Sequence, residues 1–201
     1  MAFDYDYLRK DLKEAFGQHW GLNDAAHQQS HFEEVYRTGY HINKKLGWHY
    51  DPKDIFFAAY FHDLFAWSRI NHHELSAHWF ETTDHLLILL HYGNNLSGRR
   101  LVTAGCREHR ASFKGEFSNT FAELINSADR GMPGDASAML FRAVQYREHH
   151  FPEQSEDQRM AESIKHIKDK FGHNGYARYP NMYKRVFGEE LELQRQAIDK
   201  L

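Results

Sequence analysis

Apolar residues recur along this chain mostly three and four positions apart, the spacing that gathers them on one side of a helix. Tyr7, Leu8, Leu12 and Phe16 mark a first helix over residues 4–16, and Gly17 and Gly21 break its pattern. A second begins near His31, carries Phe32, Val35, Tyr36 and Ile42, and has its stop at Gly47. Asp51-Pro52 then reads as an N-cap followed by a proline at the first helical position. The segment it opens, residues 55–61, is apolar nearly all round, as a helix buried on every side must be.

Further helices are predicted over 73–91, with a break near Thr82-Thr83, over 99–110, and from a Ser118 cap to Asp129-Arg130-Gly131. Residues 136–149 form another. A capping box, Ser155 with Gln158, opens the next, which ends at Gly172, and 180–199 forms the last. Few stretches alternate with period two, so no sheet is predicted. The fold class is therefore all-α. An N-terminal helix within 1–24 packs on a core of 25–135, and helices of 136–201 complete the same domain.

Composition narrows the picture. Hydrophobic residues make up 41% and aromatics 15% of 201 residues, enough for a packed core. A net charge of −3 gives no broad basic surface and argues against a nucleic-acid partner. The longest apolar runs, such as 86–90, are too short to cross a membrane, and the N-terminus lacks a signal core, so a cytoplasmic protein is expected. Cys106 is the only cysteine, which rules out an intrachain disulfide and zinc sites built on two or more cysteines. Sixteen histidines are many for this length. Metal binding and a histidine-tolerant surface are equally good accounts of the number, so spacing must decide.

His62-Asp63 directly follows the most apolar helix, and ionisable groups at such a place are costly unless paired or ligated. His31 opens the preceding helix, and Asp129 ends a later one, where a carboxylate opposes the helix dipole. Adjacent residues on a helix point about 100° apart, so His62 and Asp63 serve one ion only at a helix end, or two ions with Asp63 between them.

These positions, in the stretches SHFEEVYRTGYHI, IFFAAYFHDLF and FAELINSADRG, resemble the HD superfamily of metal-dependent phosphohydrolases over roughly residues 25–135. The resemblance implies a helical bundle in which His31, His62, Asp63 and Asp129 ligate a divalent metal. It extends to NHHELSAHWFE, where His73 is the expected ligand with Glu74 and His78 as competitors, and to GCREHRASF, where His109 is a sixth. One or two ions of Mn, Fe, Co, Ni or Zn suit histidine and carboxylate donors. The implied activity is hydrolysis of a phosphate ester or anhydride, of a (deoxy)nucleotide or another small phosphate, by metal-activated water. Asp63 and His109 are the expected catalytic residues, with Asp63 orienting or deprotonating the water.

Arg110 and Lys114, then Arg107, Arg130 and Arg69, are the expected phosphate-binding cations, since they cluster near the ligands in sequence. The position three after Asp63 is Ala66, not the glutamate of some 5′-nucleotidases, and no GYP signature is present. Two rival readings stay open: an HD-fold di-iron oxygenase, and a non-catalytic nucleotide-binding module. The tyrosines of the tail, Tyr176, Tyr179 and Tyr183, are expected to pack with Phe187 rather than to stack bases.

Overall fold

A computed structural model describes residues 5–24, 27–47, 50–93 and 95–201. It is all-helical: among the described residues there are helices α1 (Tyr5–Trp20), α2 (Gln29–Lys45), α3 (Pro52–Phe61), α4 (His72–Thr82), α5 (Leu86–Tyr92), α6 (Leu96–Glu108), α7 (Thr120–Ala128), α8 (Ala136–His150), α9 (Glu156–Phe171) and α10 (Asn181–Asp199), and no strand. Residue 4, the expected start of α1, and residue 25, the expected start of the core, lie outside the described residues. No described helix is long and apolar enough to cross a membrane.

Most helix limits follow from local chemistry. The Asp51 side chain accepts a hydrogen bond from the Lys53 amide with Pro52 at the first position, and the Ser155–Gln158 capping box is formed in both directions. Several limits differ from the expectation, among them α6, which runs over Leu96–Glu108 rather than 99–110 because the Asn95 side chain caps it by accepting from the Gly98 amide. Helix α1 runs through Gly17, because Leu8, Leu12, Phe16 and Trp20 continue one buried stripe and tertiary packing outweighs a single glycine. The cap of α7 is Asn119, not Ser118: the Asn119 side chain accepts from the Ala122 amide.

The chain divides into two compact units, one ending at Gly131 and one of Met132–Leu201. In the first unit α3 is the axis. Residues 55–61 are buried on every side, and α3 packs against α2, α6 and α7. Aromatic rings fill the space around it, with Phe57 stacked on Phe61 and Phe61 on Trp79. Gly39 of α2 leaves room for a close neighbour on α3: a Cβ there would meet Ile55 Cγ2 at 2.8 Å. The second unit has its own smaller core of Ala136, Ile167 and Ile198, flanked by Met139, Leu140 and Phe171. Helix α10 bends at Phe187, whose φ of −120° is not helical. Tyr183 and Phe187 are buried as expected, whereas Tyr176 is exposed.

Candidate metal centre

Helix ends deliver most of the donors. His62 is the C-cap of α3, and its Nδ1–H donates to the Ala59 carbonyl at 2.8 Å. His109 is the C-cap of α6, and its Nδ1–H donates to the Cys106 carbonyl at 2.7 Å. A carbonyl only accepts, so in both rings Nδ1 carries a proton and Nε2 is the nitrogen turned inward, the orientation a metal ligand needs. Asp129 is the C-cap of α7. These three groups stand where the helix dipole is negative and favours a cation. His31 comes from the first turn of α2.

His31, His62, Asp63 and Asp129 converge with one donor atom each, all within 4.8 Å of one another. His31 Nε2 is 3.1 Å from Asp129 Oδ1 and 3.3 Å from His62 Nε2, and His62 Nε2 is 3.1 Å from Asp63 Oδ2. An ion bound at about 2.0–2.2 Å holds neighbouring ligands roughly 3.0–3.6 Å apart. The spacing of this group fits a divalent ion.

The second group is Asp63, His72 and His109. His72 Nε2 and His109 Nε2 are 3.2 Å apart, and each is 3.3 Å from Asp63 Oδ1. Asp63 thus turns Oδ2 to the first group and Oδ1 to the second. Its Oδ1 is buried and has no hydrogen-bond partner, a costly state that a cation at the second group would relieve. His72 stands here in place of the expected His73. At the start of α4 consecutive side chains diverge by about 100°, and it is His72 that faces Asp63. His73 Nε2 instead lies 4.0 Å from Glu74 Oε1. Glu74 pairs with Arg107 at 3.2 Å, and His78 is exposed.

Charge at the centre is strongly organised. Burial alone would depress the His31 and His62 imidazoles, but Asp129 and Asp63 outweigh it, raising His31 to about 9 and His62 well above its ordinary value. Burial would likewise raise Asp63 and Asp129, and the surrounding histidines hold both carboxyls below the usual range. His72 behaves oppositely. Burial, with help from Arg110 and His109, pushes it down to about 4, so near neutral pH its ring is an uncharged donor.

Buried amides fix the ligand-bearing turns. Asn23 Nδ2 donates to the Asp63 carbonyl at 3.0 Å while its Oδ1 accepts from the Trp67 amide at 3.0 Å. Asn126 Nδ2 donates to the carbonyls of Glu108 and Arg110 at 2.6 and 3.0 Å, clamping the end of α6, and so His109, to α7. Of the expected cations, Arg130 bonds Asn126 Oδ1 at 2.9 Å, Arg107 lies between Glu74 and Glu81, and Arg69 pairs with Asp24 at 2.6 Å. Lys114 is exposed. Arg110 donates to the Ile70 carbonyl at 2.9 Å, near enough to the second group to act on both His72 and His73.

His27 is a site residue that sequence reasoning missed. Its Nδ1 is 2.6 Å from Asp24 Oδ1, and its Nε2 is 3.9 Å from Asp63 Oδ2. Asp24 in turn is held by Arg69. The side chain is 32% exposed against 20% for His31, so His27 sits nearer the solvent side of the first donor group. His27 precedes α2, beyond its extended N-cap Gln28, so no helical spacing in the sequence marks it. Compared with protein-family models, with characterised proteins and with solved structures, the chain gives no match.

Proposed function

We propose that this chain is a divalent-metal-dependent phosphohydrolase of the HD type, acting on a phosphate ester or anhydride of a nucleotide or a similar small anion. The observation that carries the reading is Asp63, a buried carboxylate whose two oxygens each face a separate cluster of histidine Nε2 atoms. His31, His62, Asp63 and Asp129 would hold one ion, and Asp63, His72 and His109 a second. The bound metal supplies a lowered water pKa and neutralises charge on phosphoryl oxygens.

The protein's own groups account for the rest. Arg110 has guanidinium donors beyond the one spent on Ile70, and phosphate oxygens match that fork. The Asp24 carboxylate keeps the proton of His27 on Nδ1, so Nε2 accepts the proton of a water or a hydroxyl at the solvent side of the centre. With both oxygens of Asp63 facing imidazoles, His27 suits proton transfer better than Asp63 does. Ala66 leaves no carboxylate three residues beyond Asp63, so the proton-transfer group must come from another element.

The test is phosphate release from mono-, di-, tri- and cyclic nucleotides with the metal-stripped protein reloaded with Mn²⁺, Co²⁺, Fe²⁺ or Zn²⁺. Turnover restored by metal and lost in Asp63→Ala is the expected result. A second group of three donors, sharing one carboxylate with the first, also suits a di-iron oxygenase. Oxygen uptake with Fe²⁺ and no phosphate release would replace the first reading with that one.

A further inference from the structure

The two donor groups are unequal in ways that are built into the chain. The first has four donors, two of them carboxylates, and the second has three, of which the only carboxylate is shared. An ion in the first group has already drawn on the charge of Asp63, so a second ion meets less negative charge. Both groups contain one imidazole fixed through Nδ1, His62 on Ala59 and His109 on Cys106. The other imidazole of the second group, His72, has its Nδ1 buried with no hydrogen-bond partner, so no outer hydrogen bond orients it.

Helix direction adds to the difference. The first group draws on two C-terminal helix ends, capped by His62 and Asp129, and the second on one, capped by His109. His31 and His72 both stand in the first turn of a helix, and the Arg110 guanidinium acts on the His72 ring.

We propose that the first group retains its ion while the second, built on His72, binds an exchangeable ion. The proposal rests on the metal-dependent reading above. A lost outer partner alone costs about 10–100-fold in metal affinity. The second group lacks a whole donor and a carboxylate of its own, so its affinity is expected to be at least about tenfold lower.

The experiment is titration of the metal-stripped full chain with Mn²⁺ alone, with the free ion counted by electron paramagnetic resonance. Two classes of site are expected, one ion in each. His72→Ala should remove the weaker class and leave the tighter one unchanged, while His73→Ala should leave both. Asp129→Asn should weaken the tighter class, and circular dichroism checks helix content in each variant. Two ions of equal affinity would overturn the proposal, as would loss of the tighter class in His72→Ala or of the weaker class in His73→Ala. If the unaltered chain binds no Mn²⁺, the metal-dependent reading itself fails, an outcome distinct from equal binding of two ions.

Discussion

Asp63 Oδ1 lies 3.3 Å from His72 Nε2, on the opposite side of the carboxylate from the oxygen that faces His62. A ten-residue arc, from the end of α3 to the start of α4, returns the chain so that these two side chains meet. That return turns a four-donor cluster into two adjoining clusters with one residue in common.

Because Asp63 belongs to both clusters, its loss should affect both. Asp63→Asn is expected to lower affinity for both ions by more than about 100-fold, beyond what an outer-partner mutation costs. Turnover should fall with it while helix content stays near that of the unaltered chain. Metal content after dialysis, together with phosphate release, checks this. A variant that kept either ion at full affinity would show that Asp63 does not join the clusters.

His27 should separate metal binding from chemistry. Its ring is held by Asp24 but lies outside both four- and three-donor groups. Replacing it with Phe is expected to lower kcat by about 10²–10⁴-fold, the range for loss of a proton-transfer group. Bound metal should not change. Equal loss of metal and kcat would instead make His27 a ligand.

Much of this was legible in the sequence because the elements have strong local signals. The Asp51-Pro52 cap, the run of apolar residues after it and the Ser155–Gln158 box each act over a few residues. His31, His62, Asp63 and Asp129 stand at or near helix ends that local signals place, whereas His109 is pointed to by the family resemblance and not by periodicity. The choice between His72 and His73 was not legible. It depends on the angle at which α4 leaves a turn, and that angle is set by contacts distant in sequence. The arginines were misleading for a related reason. Adjacency in sequence put Arg107 beside His109, whereas its side chain reaches Glu74 and Glu81.

That difference among arginines is measurable. Arg110→Ala should raise KM for a phosphate substrate by roughly ten- to a hundredfold, about 1.5–3 kcal/mol for a charge-assisted hydrogen bond. Arg107→Ala should leave KM unchanged, since its guanidinium is occupied by two glutamates on the surface. Steady-state kinetics on both variants decide it, and equal effects would remove Arg110 from the phosphate site.

The second unit carries a pH-sensitive surface contact. His173 lies between Glu192, 2.9 Å from Nε2, and Asp199, 2.5 Å from Nδ1. Hydrogen bonds to Glu192 and then Asp199 raise the imidazole above its ordinary 6.5, and His173 lowers the two carboxyls from 4.5 and 3.8. The raised histidine contributes stability fully below pH 6.5 that is lost as pH rises through its higher folded value. The lowered carboxyls contribute stability above about pH 4.5 that is lost as pH falls through their folded values. The contact is therefore strongest between these limits. The Tm difference between the unaltered chain and His173→Gln should be greater at pH 5.5 than at pH 9. A pH-independent difference would mean the contact does not form in solution.

Gly39 tests whether close helix packing holds the metal centre together. Alanine gains about 1 kcal/mol over glycine in a helix interior, which by itself would stabilise α2. Against this, the added Cβ would meet Ile55 Cγ2 at 2.8 Å and Ala128 Cβ and Leu124 Cδ2 at 3.4 Å each. Ile55 is β-branched and inside a helix, so its χ1 has one strongly preferred setting and the side chain cannot turn away. Overpacking of this kind costs about 1–3 kcal/mol, enough to outweigh the propensity gain. The three contacts come from α3 and α7, the helices that end at His62 and Asp129, while Gly39 shares α2 with His31. Helix separation at Gly39 would thus spread three of the four donors of the first group. Gly39→Ala is expected to lower both the urea-unfolding free energy and the affinity of the tighter ion. Gly17→Ala is the contrasting case, because the only contact of its Cβ is Lys13 Cγ at 3.8 Å, and it should stabilise the chain by about 1 kcal/mol. If Gly39→Ala gained stability as Gly17→Ala does, α2 would have room to yield, and the spacing of His31 from His62 would not depend on this packing.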